Sequence, residues 1–209
     1  LYTTLLFFEV MSFTSYAWVA HDETDKSLRA ANTYLAIAII GGLVSLMGLF
    51  LIYDALGTLK ISELYTAAQA LSDKTVLYIA GGCMLFGFGA KAGMFPLHVW
   101  LPKAHPVAPA PASALLSGIL TKTGVYGVLI VSCDILRYDP SWGIAVLVFG
   151  VLTMFFGALL ALFSTDLKRT LACSSMSQIG FILIAIAMQC LLGQNNAAAA
   201  SGTVLHMVN

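Results

Sequence analysis

The stretch that decides the fold is residues 87–98, which read GFGAKAGMFPLH. It lies inside an apolar run, 76–101, that is long enough to cross a bilayer, since a spanning helix needs roughly 20 residues. Pro96 has no N–H group to donate, and its ring clashes with the preceding helical turn. Gly89 and Gly93 loosen that same turn. The pattern therefore predicts a membrane-spanning helix that is broken between Gly89 and Pro96.

Composition indicates that the whole chain lies in a membrane. Of its 209 residues, 59% are hydrophobic and only 10% are charged, whereas soluble domains carry about 25% charged residues. A soluble chain of this size cannot bury so much apolar surface, so its solvent must be lipid. The formal net charge of zero excludes a global field that would attract nucleic acid. The four cysteines show no metal-ligand spacing, and we expect no metal.

Apolar runs predict an all-α membrane bundle of six to seven helices, one of them broken. Both ends of the chain fall inside such runs, so we expect it to be the central part of a longer membrane domain, truncated at both ends. The connection 54–74 has the pattern of a short amphipathic surface helix. The predicted spans are 1–20, 31–53, 76–101, 110–133, 142–163, 171–192 and 197–209.

Lysine and arginine are unevenly distributed between alternate connections. Under the positive-inside rule, the excess places the loops 21–30 and 164–170 in the cytoplasm. We also expect a multi-pass protein of the plasma membrane of a bacterium or archaeon, and favour an organellar inner membrane less. The basic residues are Lys26, Arg29, Lys103, Lys168 and Arg169 on one side and Lys60, Lys74 and Arg137 on the other.

Ionisable side chains occur inside the apolar runs, where charge is unfavourable. Glu9 precedes Ala20 by 11 residues, about 16 Å along a helix, and so lies near mid-bilayer. Lys91 and Lys122 stand in the middle of their runs, and His206 lies about ten residues into the last one. Each charge at mid-depth costs about 2.5–3.5 kcal/mol unless it is paired or hydrated. Such residues mark functional pathways, and we expect Glu9 and Lys91 to face each other across adjacent helices.

Purely structural roles for these residues stay open as alternatives. A buried Glu9–Lys91 pair could simply hold helices together, although apolar replacement of such pairs is often neutral or better. His206 could simply hydrogen-bond across helices. His98 and His105 follow the predicted helix break and flank the interfacial Trp100. A histidine with a pKa of about 6.5 suits proton entry, but both could equally be solvated or hydrogen-bonded loop residues.

The stretch 91–127, KAGMFPLHVWLPKAHPVAPAPASALLSGILTKTGVYG, closely resembles the signature of antiporter-like, proton-translocating membrane subunits. That family includes the large membrane subunits of respiratory complex I, membrane-bound hydrogenase complexes and Mrp-type sodium/proton antiporters. Three further stretches resemble other motifs of the family in the same order along the chain. They are EVMSFTSY at 9–16, DLKRTLACSSMSQIGF at 166–181 and LHMVN at 205–209.

The resemblance implies a fragment of a fold of about fourteen helices in two inverted repeats, running from the fifth helix to the start of the eleventh. It implies that Glu9 and Lys91 form a charge pair, that Lys122 is the central relay and that His206 is a connecting residue. Cys173 stands where the family usually has tyrosine. The chain also stops before the family's broken twelfth helix and its ionisable exit residue.

The function implied by the resemblance is proton translocation in a redox-driven complex, of the NADH-quinone oxidoreductase or membrane-bound hydrogenase type. Its partners would be other membrane subunits, the bilayer and protons, with sodium left open. The sequence carries no flavin, iron–sulfur or nicotinamide motif, so we expect no cofactor and no redox centre of its own. Two alternatives stay open: a subunit of an Mrp-type sodium/proton antiporter, for which Glu9 is the one carboxylate at depth, and a non-transporting scaffold.

Overall fold

Residues 1–208 are described by the computed structural model, and that part of the chain is helical without β-strands. Asn209, the last residue of the seventh predicted span and of the LHMVN motif, lies outside it. A 3-10 turn, Leu97–Trp100, precedes α5. The helices are α1 Tyr2–Ala20, α2 Asp25–Leu56, α3 Ile61–Ala70, α4 Thr75–Ala92, α5 Leu101–Val107, α6 Ala110–Leu115, α7 Thr121–Ile130, α8 Pro140–Leu162, α9 Leu167–Leu191 and α10 Ala197–Val208.

Several helical stretches are long and apolar enough to cross a membrane. The described residues contain five of them, and each overlaps a predicted span. The helix α1 has 19 residues but is not among the five, and α10 is a shorter apolar helix. The predicted fold class, an all-α membrane bundle, is confirmed. The five stretches are Asp25–Leu56, Thr75–Val107, Ala110–Ile135, Pro140–Leu162 and Leu167–Leu191.

Helix ends lie at residues whose side chains or backbones suit a cap. The side chain of Thr24 accepts a hydrogen bond from the N–H of Ser27 and so caps α2. Asp139 and Asp166 do the same for α8 and α9. These side chains satisfy N–H groups that have no partner in the first helical turn. At the other end of α2, Gly57 adopts a φ of 69°, a left-handed conformation that glycine tolerates best.

Small residues let α2, α4 and α7 approach one another closely. Gly87 in α4 lies against the backbone of Gly41 in α2, where a Cβ atom would overlap the Gly41 carbonyl. On the opposite side of α4, a Cβ atom at Gly124 of α7 would lie 2.5 Å from the carbonyl oxygen of Phe88. Packing through small residues is the usual means by which membrane helices associate. These two contacts hold the last turns of α4 between α2 and α7.

We predict that Gly87→Ala destabilises the protein and that Gly82→Ala does not. Both glycines are inside α4, but a Cβ atom at Gly82 would meet nothing within 4 Å. Alanine at Gly87 must push α2 away from α4, and overpacking of this kind costs about 1–3 kcal/mol. Alanine at Gly82 gains up to about 1 kcal/mol of helix propensity. The free energy of unfolding in mild detergent measures both, and equal stability of the two variants would contradict the close α2–α4 contact.

Candidate functional site

The helix α4 ends one residue after Lys91, and the glycines around that end have different roles. Gly93 adopts a φ of 80°, and its N–H donates to the carbonyl of Ala90 at 3.3 Å. The N–H of Met94 donates to the carbonyl of Gly89 at 2.8 Å. Gly89 is therefore still helical and accepts a capping bond, because the α4 hydrogen bonds persist up to Ala92. The irregular segment expected between Gly89 and Pro96 begins only at Gly93.

Backbone groups near the interruption are satisfied by protein atoms. The N–H of Phe95 donates to Thr153 Oγ1 of α8 at 3.0 Å. The indole N–H of Trp100 donates to the carbonyl of Ala90 at 2.7 Å. Pro96 offers no N–H, and the chain continues from it into the 3-10 turn and α5. Irregular backbone at membrane depth is tolerated where it is buried in protein.

Lys91 is held by neutral hydroxyl groups. Its side chain is only 2% exposed, and its Nζ donates to Ser12 Oγ and to Tyr34 Oη, both at 2.6 Å. The Tyr34 hydroxyl also bonds to Ser15 Oγ at 2.6 Å. The ammonium group lies 5.5 Å from the ring centre of Phe8 and 4.9 Å from that of Tyr34. Residues of α1 and α2 thus provide the hydrogen-bond acceptors for a charged group that belongs to α4.

Glu9 lies on the same helix as Ser12 but is oriented towards a different space. Its carboxylate packs against Gly42 of α2, where a Cβ atom would leave no room for it. Its Oε1 atom is buried and has no hydrogen-bond partner among the described residues. An unsatisfied buried polar atom costs about 1–3 kcal/mol. The carboxylate lines an apolar cleft of about 330 Å³ between α1 and α2, together with Phe13 and Leu43.

Among residues 1–208, no ion pair shorter than 4.0 Å joins Glu9 and Lys91 in this conformation, and the expectation that the two face each other across adjacent helices stays a prediction. Within residues 1–208, the ion pair shorter than 4.0 Å is Lys60–Glu63, at 3.1 Å. Ser12 lies one helical turn after Glu9 on α1 and accepts a hydrogen bond from Lys91. The hydroxyls of Ser12 and Tyr34 satisfy the ammonium group, and the carboxylate remains beside Gly42.

Lys122 and His206 line one cavity, which we call the lysine cavity. Its volume is about 300 Å³. His206 Nε2 is 2.8 Å from Gln178 Oε1, and Ser117 Oγ is 2.7 Å from Ser175 Oγ. Lys122 is half-buried, and no described hydrogen bond joins its ammonium group to another residue. The site therefore offers a free cationic group facing hydroxyl, amide and imidazole groups.

His105 lines a neighbouring cavity of about 480 Å³, which we call the histidine cavity. This side chain is only 2% exposed and belongs to α5, not to a loop. Its Nδ1 is 2.6 Å from Ser113 Oγ, and its Nε2 is buried without a partner. Lys168 also lines this cavity and donates to the carbonyl of Ala108 at 2.8 Å. The walls shared with the lysine cavity are Ser117, Gly118, Ser175 and Gln178.

The remaining predicted site residue, His98, lies apart from both cavities. Its ring stacks on Phe95 with the ring centres 5.6 Å apart, and Phe95 in turn stacks on Phe156 at 4.5 Å. The Nδ1 atom of His98 is buried without a partner. The structure thus brings His105, Lys122 and His206 into adjoining cavities and leaves Lys91 on the other side of α4.

Sequence reasoning missed the hydroxyl partners of Lys91 and a distortion next to Lys122. A π-helical turn, Leu116–Leu120, separates α6 from α7 immediately before Lys122, and a second, Val131–Ile135, follows α7. Such turns are frequent at functional sites. No residue type marks them. Ser12 and Tyr34 are ordinary residues in apolar helices, so no sequence signal marks them as partners of Lys91 either.

We predict that Tyr34→Phe destabilises the protein by about 1–3 kcal/mol, since it removes an acceptor from a buried charged donor. Tyr16→Phe is the matched control, because the Tyr16 hydroxyl makes an exposed 3.2 Å bond to Asn32 between the same two helices. We expect its effect to stay within about 0.5 kcal/mol. Denaturation in mild detergent measures both, and an unchanged stability of Tyr34→Phe would show that Lys91 does not depend on this hydroxyl.

The fold and the site together define a class: multi-spanning helical membrane proteins with a buried lysine at the end of an interrupted helix and a second, half-buried lysine that lines a cavity. Residues 1–208 match the family described as NADH:quinone oxidoreductase/Mrp antiporter, TM, and the chain belongs to that family. The resemblance inferred from the motifs is thereby confirmed.

Relatives of the chain include components of several complexes. Hydrogenase-4 component B of Escherichia coli is 37% identical over 87% of this chain. A subunit of the Na(+)/H(+) antiporter of Alkalihalophilus pseudofirmus is 33% identical over 89% of this chain. A subunit of the NADH-quinone oxidoreductase of Desulforudis audaxviator is 29% identical over 100% of this chain. The chain spans 27%, 38% and 41% of these relatives.

Solved structures with the same fold are also multi-subunit membrane complexes. A chain of the Mrp complex from Dietzia sp. DQ12-45-1b superposes with a TM-score of 0.86 at 28% identity, and 99% of this chain covers 39% of that one. A chain of the membrane-bound sulfane sulfur reductase, an archaeal respiratory complex, superposes with a TM-score of 0.84 at 28% identity. That match covers 98% of this chain and 41% of the other.

Proposed function

We propose that the chain is a proton-translocating membrane subunit of a redox-driven complex of the NADH-quinone oxidoreductase or membrane-bound hydrogenase type. Its relay consists of Glu9, Lys91, Lys122 and His206. The observation that carries the proposal is that Lys122 and His206 line one cavity, which shares Ser117, Gly118, Ser175 and Gln178 with the cavity of His105. Ionisable residues at such depth are unfavourable unless they serve a pathway.

The two cavities suggest how a proton reaches Lys122. It enters the histidine cavity, where the free Nε2 of His105 accepts or releases a proton. The hydroxyls of Ser117 and Ser175 lie on the wall shared by both cavities. Water in cavities of this size needs polar partners, and these side chains supply them. Lys122 first gives its own proton onward towards His206 on α10, and the neutral amine then accepts the entering proton.

Glu9 and Lys91 act as the switch of the relay. Burial disfavours the charged form of a lysine, and a nearby carboxylate favours it. Lys91 therefore keeps its proton when Glu9 approaches and releases it more readily when Glu9 withdraws. In this proposal, Ser12 and Tyr34 are the hydrogen-bond partners of Lys91 while the Glu9 carboxylate is withdrawn from it. A redox reaction elsewhere in the complex could drive such a switch by favouring one arrangement.

Coupling between the two lysines is electrostatic in this proposal. Lys91 faces α1 and α2, whereas Lys122 faces α9 and α10, and the close α4–α7 contact at Gly124 lies between them. A positive charge on one lysine disfavours a positive charge on the other. Proton release from Lys91 thus favours proton uptake at Lys122.

Partners and location follow from the same proposal. The protein works in the plasma membrane of a bacterium or archaeon, surrounded by lipid and by other membrane subunits that hold the redox centres. Protons are favoured over sodium, because no carboxylate is found among the described residues that line the lysine and histidine cavities. A sodium site requires oxygen ligands, and hydroxyls beside lysines make a poor one.

Replacing Lys122 tests the relay. We predict that Lys122→Ala abolishes proton transport in the assembled complex, because the relay then has no group that passes the proton on to His206. Lys122→Arg should also fail, since a guanidinium keeps its proton at any working pH. Proton uptake by sealed vesicles, normalised to the amount of assembled complex, is the measurement.

The matched control is Lys26→Arg, because Lys26 is exposed in the first turn of α2 and lines neither the lysine cavity, nor the histidine cavity, nor the cleft beside Glu9. It should transport like the wild type. Transport at the wild-type rate by Lys122→Arg would show that Lys122 does not work by giving up its proton. Transport by both Lys122 variants would instead favour the scaffold.

A further inference from the structure

A third cavity lies at the opposite end of the helices that enclose Lys122, and we call it the cysteine cavity. Its volume is about 250 Å³. It is lined by the π-helical turn that follows α7, by the 136–139 connection, by α9 and by the start of α10. Its walls include Cys133, Asp134 and Arg137. Arg137 is exposed, so the cavity reaches the protein surface next to the 136–139 connection.

The cysteine and histidine cavities face opposite sides of the bundle. Lys168, in the first turn of α9, lines the histidine cavity. Gln189, near the last turn of α9, lines the cysteine cavity. The helix between them is long enough to cross a membrane. A water-filled cysteine cavity would therefore open to the membrane face opposite the proposed entry.

A buried chain of hydrogen bonds closes the inner end of the cysteine cavity. Cys133 Sγ donates to Gln189 Oε1 at 3.4 Å, and Gln189 Nε2 donates to Thr203 Oγ1 at 2.7 Å. Thr203 Oγ1 donates to the carbonyl of Ala199 at 2.8 Å. Gln189 is 8% exposed and Thr203 is 1% exposed. Because both side chains are buried, no continuous file of water passes them while the pair is formed.

The Gln189–Thr203 hydrogen bond lies close to His206 of the proposed relay. Thr203 precedes His206 by three residues on α10, so the two share a face and are about one helical turn apart. His206 lines the lysine cavity, and so does Ile182 on α9. The wall between the two cavities on this face thus consists of the Gln189–Thr203 pair and of buried apolar residues such as Ile186.

We propose that the cysteine cavity is a second aqueous opening of the same pathway and that the Gln189–Thr203 pair is its gate. The ligand is water, which carries protons between His206 and the membrane face at Arg137 when Gln189 swings away from Thr203. While the pair is formed, His206 communicates with the lysine cavity alone. The role of the gate rests on the proposed function, but the existence of the aqueous opening does not.

The native cysteines test the opening without any mutation. Sealed vesicles of either orientation, containing the assembled complex, are treated with a cationic, membrane-impermeant methanethiosulfonate, which suits a thiol next to Asp134. Labelling of each cysteine is quantified by peptide mass spectrometry. Cys190 is the matched control, because it neighbours Gln189 but is only 2% exposed and donates to the carbonyl of Ser132.

Cys133 should be labelled about tenfold faster than Cys190, since reactivity follows exposure, and only from the face of the 136–139 connection. Labelling of Cys133 no faster than that of Cys190 would overturn the opening, and so would equal labelling from both faces. Because this readout involves no transport, it stands even if the Lys122→Arg variant transports normally and the proposed function fails.

Two variants of Gln189 test the gate. Gln189→Ala removes the side chain that pairs with Thr203 and leaves its space open to water. Passive proton entry into vesicles, measured without the driving reaction, should therefore rise several-fold. Gln189→Leu keeps nearly the same volume with an apolar side chain and should be as tight as the wild type. If the alanine variant is as tight as the leucine variant, the pair is not a gate. If the alanine variant fails to assemble, Gln189→Ser takes its place, because it also shortens the side chain: a leak well above that of the leucine variant supports the gate, and equal tightness overturns it.

Discussion

The burial of one ammonium group, that of Lys91, is the constraint on which the rest of the structure depends. The charge lies at the end of a helix in an apolar bundle, where an unpaired ion costs several kcal/mol. Two hydroxyls at 2.6 Å satisfy it, and they belong to α1 and α2. The position of the charge therefore fixes how three helices pack, and the glycine contacts between α2 and α4 make that packing sterically feasible.

Pairing with neutral hydroxyls leaves Lys91 suited to a switch. A direct ion pair inside a membrane would lock both charges, because separating it leaves each of them buried and unpaired. The hydroxyls of Ser12 and Tyr34 accept hydrogen bonds from Lys91 and make none with the carboxylate of Glu9. Glu9 lies one helical turn before Ser12 on α1, and its Oε1 atom has no hydrogen-bond partner among the described residues. In the proposed switch, this carboxylate is the second partner of Lys91.

Much of the fold was predictable from the sequence, because apolar runs of bilayer length and a glycine–proline interruption have strong local signatures. The helix break near Lys91 follows from Gly93 and Pro96, whose backbone preferences act regardless of tertiary context. The partners of Lys91 were not predictable in the same way. Ser12 and Tyr34 are ordinary residues in apolar helices, and their orientation is decided by packing between helices. The π-helical turn before Lys122 likewise has no residue signature.

The most direct test of the account is to locate the side chains of Glu9 and Lys91 in the assembled complex at rest and during turnover, by cryo-electron microscopy at a resolution that shows ordered water. The account predicts two populated arrangements: one with Lys91 on Ser12 and Tyr34, and one with Lys91 on the carboxylate of Glu9. A single arrangement that persists through turnover, with no contact between Glu9 and Lys91 in any state, would contradict it.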